Sequence, residues 1–155
     1  MDDEQPSSFW ICIQLLVLVC FLLVPRGALA GEVVVIGGTE GQKRFVSCVA
    51  EMSGDELRTL PNSDQPMTFV ILEHQKFLQT RIAFHADRTK LAFSNLAIRR
   101  VYLSSRVFTD FDTALWCVPH ELGHFATQSI FEDHAELAAE RIRWRTRQSC
   151  GSTVS

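Results

Sequence analysis

Two helical segments joined by a tight turn near Gln128 dominate the C-terminal third of the chain. Thr109–Asp112 has the S/T-x-x-D form of a helix start, and apolar residues around most of the following circumference predict a buried helix from Asp110 to about Thr127. Ser129–Glu132 repeats this capping form and predicts a second helix from Ile130 to about Arg147. Helices with so short a connection pack side by side as an antiparallel hairpin.

The segments before this hairpin predict a small sheet and one helix. Helical spacing of apolar residues predicts the helix at Lys43–Met52. Ser53–Gln65 is rich in polar residues, Gly and Pro and reads as a loop, and Glu73–Lys90 gives little signal. Runs of β-branched and aromatic residues predict the strands, at Glu32–Ile36, Met67–Leu72, Ala92–Asn95 and Arg99–Leu103. The predicted fold is α+β, with an N-terminal helix and a small sheet followed by the two C-terminal helices.

The N-terminus has the features of an export signal. An apolar run at 9–24 is followed by Ala28-Leu29-Ala30, an A-x-A cleavage site, so we expect a signal peptide at 1–30 and a mature chain that begins at Gly31. The run is shorter than the ~20 residues of a membrane-spanning helix. Because Asp2-Asp3-Glu4 replaces the usual positive start, an uncleaved membrane anchor at 9–24 is the alternative. The expected location is outside the cytoplasm, secreted or periplasmic.

The remaining residues, 31–155, have the length of one domain. They carry 14 Lys and Arg against 15 Asp and Glu, so no charge excess indicates binding to nucleic acid or to an anionic membrane surface. Four arginines between 141 and 147 close a predicted helix, where cations complement the helix dipole. Three cysteines remain in this part of the chain. We expect Cys48 and Cys150 to form a disulfide in an oxidising compartment and Cys117 to be a buried thiol.

His120-Glu121-Leu122-Gly123-His124 is the most specific motif in the chain. Residues four apart lie on one face of a helix, so His120 and His124 can bind a single Zn²⁺. Glu121 faces the same side and can act as general base toward a water that the metal activates. Gly123 allows another segment to approach the helix closely. The apolar neighbours of the motif indicate a buried helix.

Three stretches resemble the sequence around this motif in gluzincin-type metallopeptidases, above all the smallest ones: Leu91–Asn95, Val101–Ser105 and Trp116–Phe125. The resemblance covers about 60 residues, through to Arg147, and only the HELGH motif is highly specific. It implies a minimal zincin-like catalytic domain that hydrolyses peptide or protein substrates. It also implies that an edge strand, Ala92–Asn95 or its neighbour, binds an extended peptide antiparallel to itself.

The resemblance further implies a third metal ligand, a Glu on the following helix in an E-x-x-A-D or E-x-x-x-D pattern. Two overlapping versions begin at Glu132 and at Glu136. A turn centred near Gln128 or Ser129 places residues 134–136 level with residue 122, which favours Glu136, with Glu140 as the partner that orients it. Glu132 is the alternate ligand, because it lies nearer the apolar face of the helix, although the capping box offers it another role.

Two features depart from the gluzincin pattern. Pro119, directly before the motif, should kink or break the helix because it removes a helical hydrogen bond. No residue clearly matches the side chain that stabilises the oxyanion; His74, His85 and Tyr102 are candidates by residue type alone.

Two other functions remain open. One is a catalytically silent zinc-site module that binds or regulates a partner in the cell envelope. The other is a structural zinc site, which needs four protein ligands, with Cys117 as the residue that could supply the fourth.

Overall fold

The computed structural model describes residues 32–58, 65–87 and 89–151, which form an α+β fold with one four-stranded sheet and five α-helices. The predicted signal segment lies outside these residues. None of the helices in the described ranges is both long and apolar enough to cross a membrane. The elements follow in the order β1 (Val33–Ile36), α1 (Glu40–Met52), α2 (Gly54–Arg58), β2 (Met67–Leu72), α3 (His74–Ala83), β3 (Ala92–Asn95), β4 (Arg100–Ser104), a 3-10 helix (Ser105–Phe108), α4 (Phe111–Thr127) and α5 (Glu132–Ser149).

The strands are ordered β1-β2-β4-β3, so β3 lies at one edge of the sheet. β1, β2 and β4 are parallel, and β3 pairs antiparallel with β4, with Ala92 opposite Leu103. The Ser104 N–H donates to the Leu91 carbonyl at 2.9 Å. Since hydrogen-bonded and non-hydrogen-bonded pairs alternate in an antiparallel ladder, the peptide groups of Ala92 and Ser94 point away from β4. The predicted edge strand therefore presents unpaired main-chain groups.

The two faces of the sheet are covered unequally. In β2 the side chains of Met67, Phe69 and Ile71 are buried, and they join residues of α1, α4 and α5 in the main core. Among the described residues, the opposite face packs on α3 and on the segment directly after it, through a smaller cluster of Phe77, Phe93 and Tyr102. The period-2 burial of β2 follows from the alternation of side chains along a strand, whereas β4 is buried on both faces after its first residue. The main core holds the back of α4 and thereby fixes the face that carries the HELGH motif.

The α4–α5 hairpin forms as the sequence predicts. Gln128 ends α4 in the left-handed conformation, with φ 51°, and reverses the chain. At Gly123 the two helices approach so closely that an ideal Cβ would lie 2.1 Å from the Ala135 carbonyl oxygen. The close approach expected at this glycine is confirmed.

Several helix boundaries differ from the predictions. Within the segment predicted as a loop, Gly54–Arg58 forms a short helix, because Leu57 is buried against the main core. Helix α3 occupies the segment with little sequence signal. Its only buried residue is Phe77, so it has no apolar stripe for periodicity to detect.

The predicted capping residues of the hairpin are also wrong. Asp110, not Thr109, caps α4, since its carboxylate accepts from the Thr113 N–H at 2.7 Å. Ser129 does not cap α5: its hydroxyl accepts from the Phe131 N–H, and the helix begins only at Glu132. A local Ser turn has replaced the predicted capping box.

Helix α4 runs without a break through Pro119. The neighbouring side chains of Val118 and Leu122 are fully buried in the core. This packing keeps the helix continuous and outweighs the hydrogen bond that proline removes.

The expected disulfide is present between Cys48, in α1, and Cys150, directly after α5. Cys117 is a free, partly buried thiol. The predicted pairing and the free state of Cys117 are confirmed, but the thiol is only partly buried and not fully buried as expected.

Candidate metal centre

His120, His124 and Glu132 form a group whose potential ligand atoms all lie within 4.8 Å of one another. The two histidines are four residues apart on α4 and therefore project from one face of the helix. Glu132 is the first residue of α5 and faces them across the turn. Two imidazoles and one carboxylate are the donor set of a catalytic zinc site with three protein ligands.

Both imidazole rings present Nε2 to the same carboxylate oxygen. Glu132 Oε2 lies 2.8 Å from His120 Nε2 and 3.8 Å from His124 Nε2. Ligand atoms at about 2.0–2.1 Å from one tetrahedral metal are roughly 3.4 Å apart. The observed distances lie on either side of that value, so the group fits a metal after shifts of about half an ångström in each distance.

The Nδ1 atoms of both histidines have partners that orient the rings. His124 Nδ1 is 2.8 Å from the Ser129 carbonyl oxygen, an acceptor to which it must donate. His120 Nδ1 is 3.0 Å from Glu136 Oε2. A proton held on each Nδ1 leaves each Nε2 with a free lone pair, the tautomer that a metal-binding histidine needs.

The structure brings Glu132, the alternate third ligand, to the histidines in place of the favoured Glu136. The two terminal guanidinium nitrogens of Arg143 donate hydrogen bonds to the carboxylate of Glu136, at 2.5 and 2.7 Å. This pairing, with the hydrogen bond to His120, lowers the pKa of Glu136 to about 2. Glu136 thus contacts the outer ring nitrogen of His120, and Glu140, which was predicted to orient Glu136, instead lines a surface pocket beside Trp144.

Glu121 is only 3% exposed and lies against the edge strand. Ser94 of β3 donates its hydroxyl hydrogen to Glu121 Oε2 at 2.6 Å, and the same hydroxyl lies 3.1 Å from the Glu121 carbonyl oxygen. Burial raises the pKa of Glu121, opposed by the hydrogen bond from Ser94 and by the two histidines. A buried carboxylate with a raised pKa is suited to accept and release a proton near neutral pH.

Two cavities meet at this site. The larger, here called the Ile130 cavity, has a volume of about 470 Å³ and is lined by Ser94, His124 and Ile130 among others. The second, the Trp116 cavity, has about 370 Å³ and is lined by Ala92, Trp116 and His120 among others. Both are also lined by the same three charged residues: Lys90, Glu121 and Glu132.

The three oxyanion candidates are separated by their positions. His74 bonds to the buried Ser104 hydroxyl, with 2.9 Å between Nδ1 and Oγ, and lines neither cavity. Tyr102 is buried on the α3 side of the sheet and stacks on Phe93. Of these three candidates, only His85 lines the Ile130 cavity.

Cys117 is not in the ligand group. It lines the Trp116 cavity, where burial, with a further contribution from the charge of Glu121, raises the pKa of its thiol to about 11. Among the described residues the group thus has three protein ligands, which does not favour a closed structural site.

Three residues that support the group were not expected from the sequence: Lys90, Ser94 and Arg143. Each lies outside the HELGH motif and reaches it only through the tertiary fold. Ser94 alone had a sequence signal, because it belongs to the predicted peptide-binding strand. Comparison with protein-family models, curated proteins and solved structures gives no match.

Proposed function

We propose that this protein is a zinc-dependent peptidase in which His120, His124 and Glu132 bind the metal. The observation that carries the proposal is the orientation of the two imidazoles. Each Nε2 faces Glu132 Oε2, while each Nδ1 is occupied by an oriented acceptor. Histidines that serve only for packing do not need to direct both Nε2 atoms at one carboxylate oxygen and to have a separate orienting partner at each Nδ1.

Zinc at this group supplies a Lewis acid that polarises a peptide carbonyl and acidifies a water molecule. The chain's own part is proton transfer by Glu121. Its carboxylate accepts a proton from the attacking water and passes it to the departing amine nitrogen. The hydrogen bond from Ser94 fixes the direction of the carboxylate, and its burial excludes competing water.

Strand β3 provides the peptide-binding edge. The outward peptide groups of Ala92 and Ser94 can pair with an extended substrate, as an added strand does at a sheet edge. Ser94 also contacts Glu121, so pairing at this strand places the substrate's main chain beside the general base. Ala92 lines one cavity and Ser94 the other, which leaves room for substrate side chains on both sides.

The proposal is tested by separating metal binding from turnover. Zinc content and cleavage of a peptide library are measured for the wild-type protein and for Glu121→Gln, with Glu140→Gln as a control on the same type of side chain. Glu121→Gln should keep about one zinc per chain and lose ~10²–10⁴-fold in turnover, the usual contribution of a general base. His120→Ala and Glu132→Gln should lose the metal as well.

The binding-module function is the alternative outcome of the same experiment. A wild-type protein that holds zinc and cleaves nothing in the library, or a Glu121→Gln variant as active as wild type, would establish it in place of the peptidase. A Glu136→Gln variant that loses all zinc while Glu132→Gln keeps it would establish Glu136, the ligand that the sequence favours, in place of Glu132.

A further inference from the structure

Lys90 has a fixed position beside the candidate metal centre. Its backbone is tethered on both sides: its N–H donates to the Asp87 carbonyl at 3.4 Å, and its own carbonyl accepts from the Arg81 guanidinium at 3.2 Å. The next residue, Leu91, pairs with β4. The stem of this lysine therefore starts from an ordered point at the entrance to β3.

The ammonium group of Lys90 reaches the third ligand. It donates to Glu132 Oε1, whereas the other oxygen, Oε2, faces the two histidines. Among the described residues that line the Ile130 and Trp116 cavities, Lys90 is the one lysine or arginine. It is thus the fixed cation of the space in which a substrate would bind.

We propose that Lys90 is a catalytic residue that stabilises the negative charge developing on the carbonyl oxygen of the scissile peptide bond. The inference rests on the proposed peptidase function. In hydrolysis, the water oxygen bonds to the carbonyl carbon and the carbon–nitrogen bond breaks. One water proton travels through Glu121 to the amine nitrogen. Lys90 transfers no proton; its ammonium donates a hydrogen bond to the oxygen whose charge grows in the transition state.

The arrangement of the cavities favours this role over recognition of a substrate's terminal carboxylate. Lys90 lines both cavities together with Glu121 and Glu132, so open space continues on each side of the site. A peptide can then extend past the site in both directions. A cation that binds a chain end belongs instead at the closed end of a cleft.

The test uses the zinc-loaded protein and the variant Lys90→Met, which keeps most of the stem and removes the charge. Turnover per bound zinc should fall by ~10²–10³-fold, the usual effect of removing one oxyanion donor, with KM little changed. Lys90→Arg should recover part of the loss. Lys76→Met, at an exposed position on α3, is the matched control and should behave as wild type.

A binding measurement provides a readout independent of turnover. Calorimetry compares a peptide phosphonate, which carries a tetrahedral anion in place of the scissile amide, with the corresponding neutral peptide on zinc-loaded Glu121→Gln protein. Adding Lys90→Met should weaken phosphonate binding at least tenfold and leave the neutral peptide unaffected.

The outcomes that overturn the proposal are distinct from failure of the peptidase function. If Lys90→Met weakens zinc binding but keeps wild-type turnover per bound zinc, Lys90 only positions Glu132. If the loss is confined to substrates with a free C-terminal carboxylate, Lys90 recognises chain ends. If His85→Gln and not Lys90→Met abolishes turnover and phosphonate binding, the oxyanion residue is His85. A wild-type protein without turnover refutes the peptidase function and with it the catalytic role of Lys90, whereas the phosphonate measurement shows separately whether Lys90 binds a tetrahedral anion beside the zinc.

Discussion

Because Gly123 has no side chain, helix α4 can pack closely against α5 at this residue. An ideal Cβ there would lie 2.1 Å from the Ala135 carbonyl oxygen, a backbone atom that cannot move aside alone. We expect Gly123→Ala to lower the free energy of unfolding by about 1–3 kcal/mol, the usual cost of overpacking. Urea denaturation checks this. Gly54→Ala, with no atom within 4 Å of the new Cβ, is the control and should be neutral or slightly stabilising.

Cys117 shows how the same buried environment affects a thiol. Burial, together with the charge of Glu121, raises its pKa to about 11. At pH 8 only about one thiol in a thousand is then the reactive thiolate. Native protein should therefore react slowly with iodoacetamide at pH 8, faster as the pH approaches 11, and at the ordinary rate once unfolded in urea. Mass spectrometry of the labelled chain measures this, and rapid native labelling at pH 8 would contradict the assignment.

At the scale of elements, α5 contributes the candidate ligand Glu132 from its first turn and a supporting arginine, Arg143, about three turns further on. Arg143 holds Glu136, which orients His120, and it also stacks over Trp116 of α4 at 3.8 Å. We expect Arg143→Leu to weaken zinc binding by about 10–100-fold, as loss of a partner that orients a ligand usually does. Competition with a chromogenic chelator gives the dissociation constant. Arg147→Leu, on the same helix but paired with Asp112, should leave zinc binding unchanged.

The elements that sequence patterns predicted are those with a one-sided burial pattern. β2 alternates in burial along its length, and its predicted bounds are the observed ones. Helix α3 escaped prediction because Phe77 is its one buried residue, with Leu78 partly buried against the same small cluster, so burial imposes no helical period on its sequence. The periodicity of apolar residues in the sequence is strong for elements that pack into the main core. It is weak for an element that covers only the opposite face of the sheet.

The residues of the candidate metal centre show the same division between local and tertiary information. His120, Glu121 and His124 could be identified because one turn of helix fixes their relative positions. The third ligand depends on where α5 begins, and the predicted start at Ile130 differs from the observed one at Glu132. The helical wheel, which places Glu132 nearer the apolar face, agrees with the group that the fold brings together, whereas counting residues from the turn favours Glu136. Lys90, brought to the site by the fold, has no local signal.

For the whole molecule, the disulfide links the first long helix, α1, to the end of the last helix, α5. Cys48 in α1 and Cys150 after α5 are separated by 102 residues. A crosslink that closes so long a loop restricts the unfolded chain, and its removal typically costs about 2–5 kcal/mol. We expect the Cys48→Ala and Cys150→Ala double variant to lose about that much in free energy of unfolding, measured in urea. The bridge is also consistent with the predicted export, since such bonds persist in oxidising compartments. A Cys117→Ala variant is the control, and a double variant as stable as wild type would contradict the argument.

Metal binding and folding should be coupled across the same molecule. The candidate ligands come from two helices, and Glu121, the proposed general base, is held by the edge strand, so the complete group exists only in the folded chain. A ligand that binds only the native state stabilises it by about 2.7 kcal/mol at 100 times its dissociation constant. For a domain of this size we expect zinc to raise Tm by roughly 10 °C in differential scanning fluorimetry. Mg²⁺, which prefers oxygen ligands, should give no shift. His120→Ala should abolish the zinc response, and an equal shift in that variant would mean that zinc binds elsewhere on the protein.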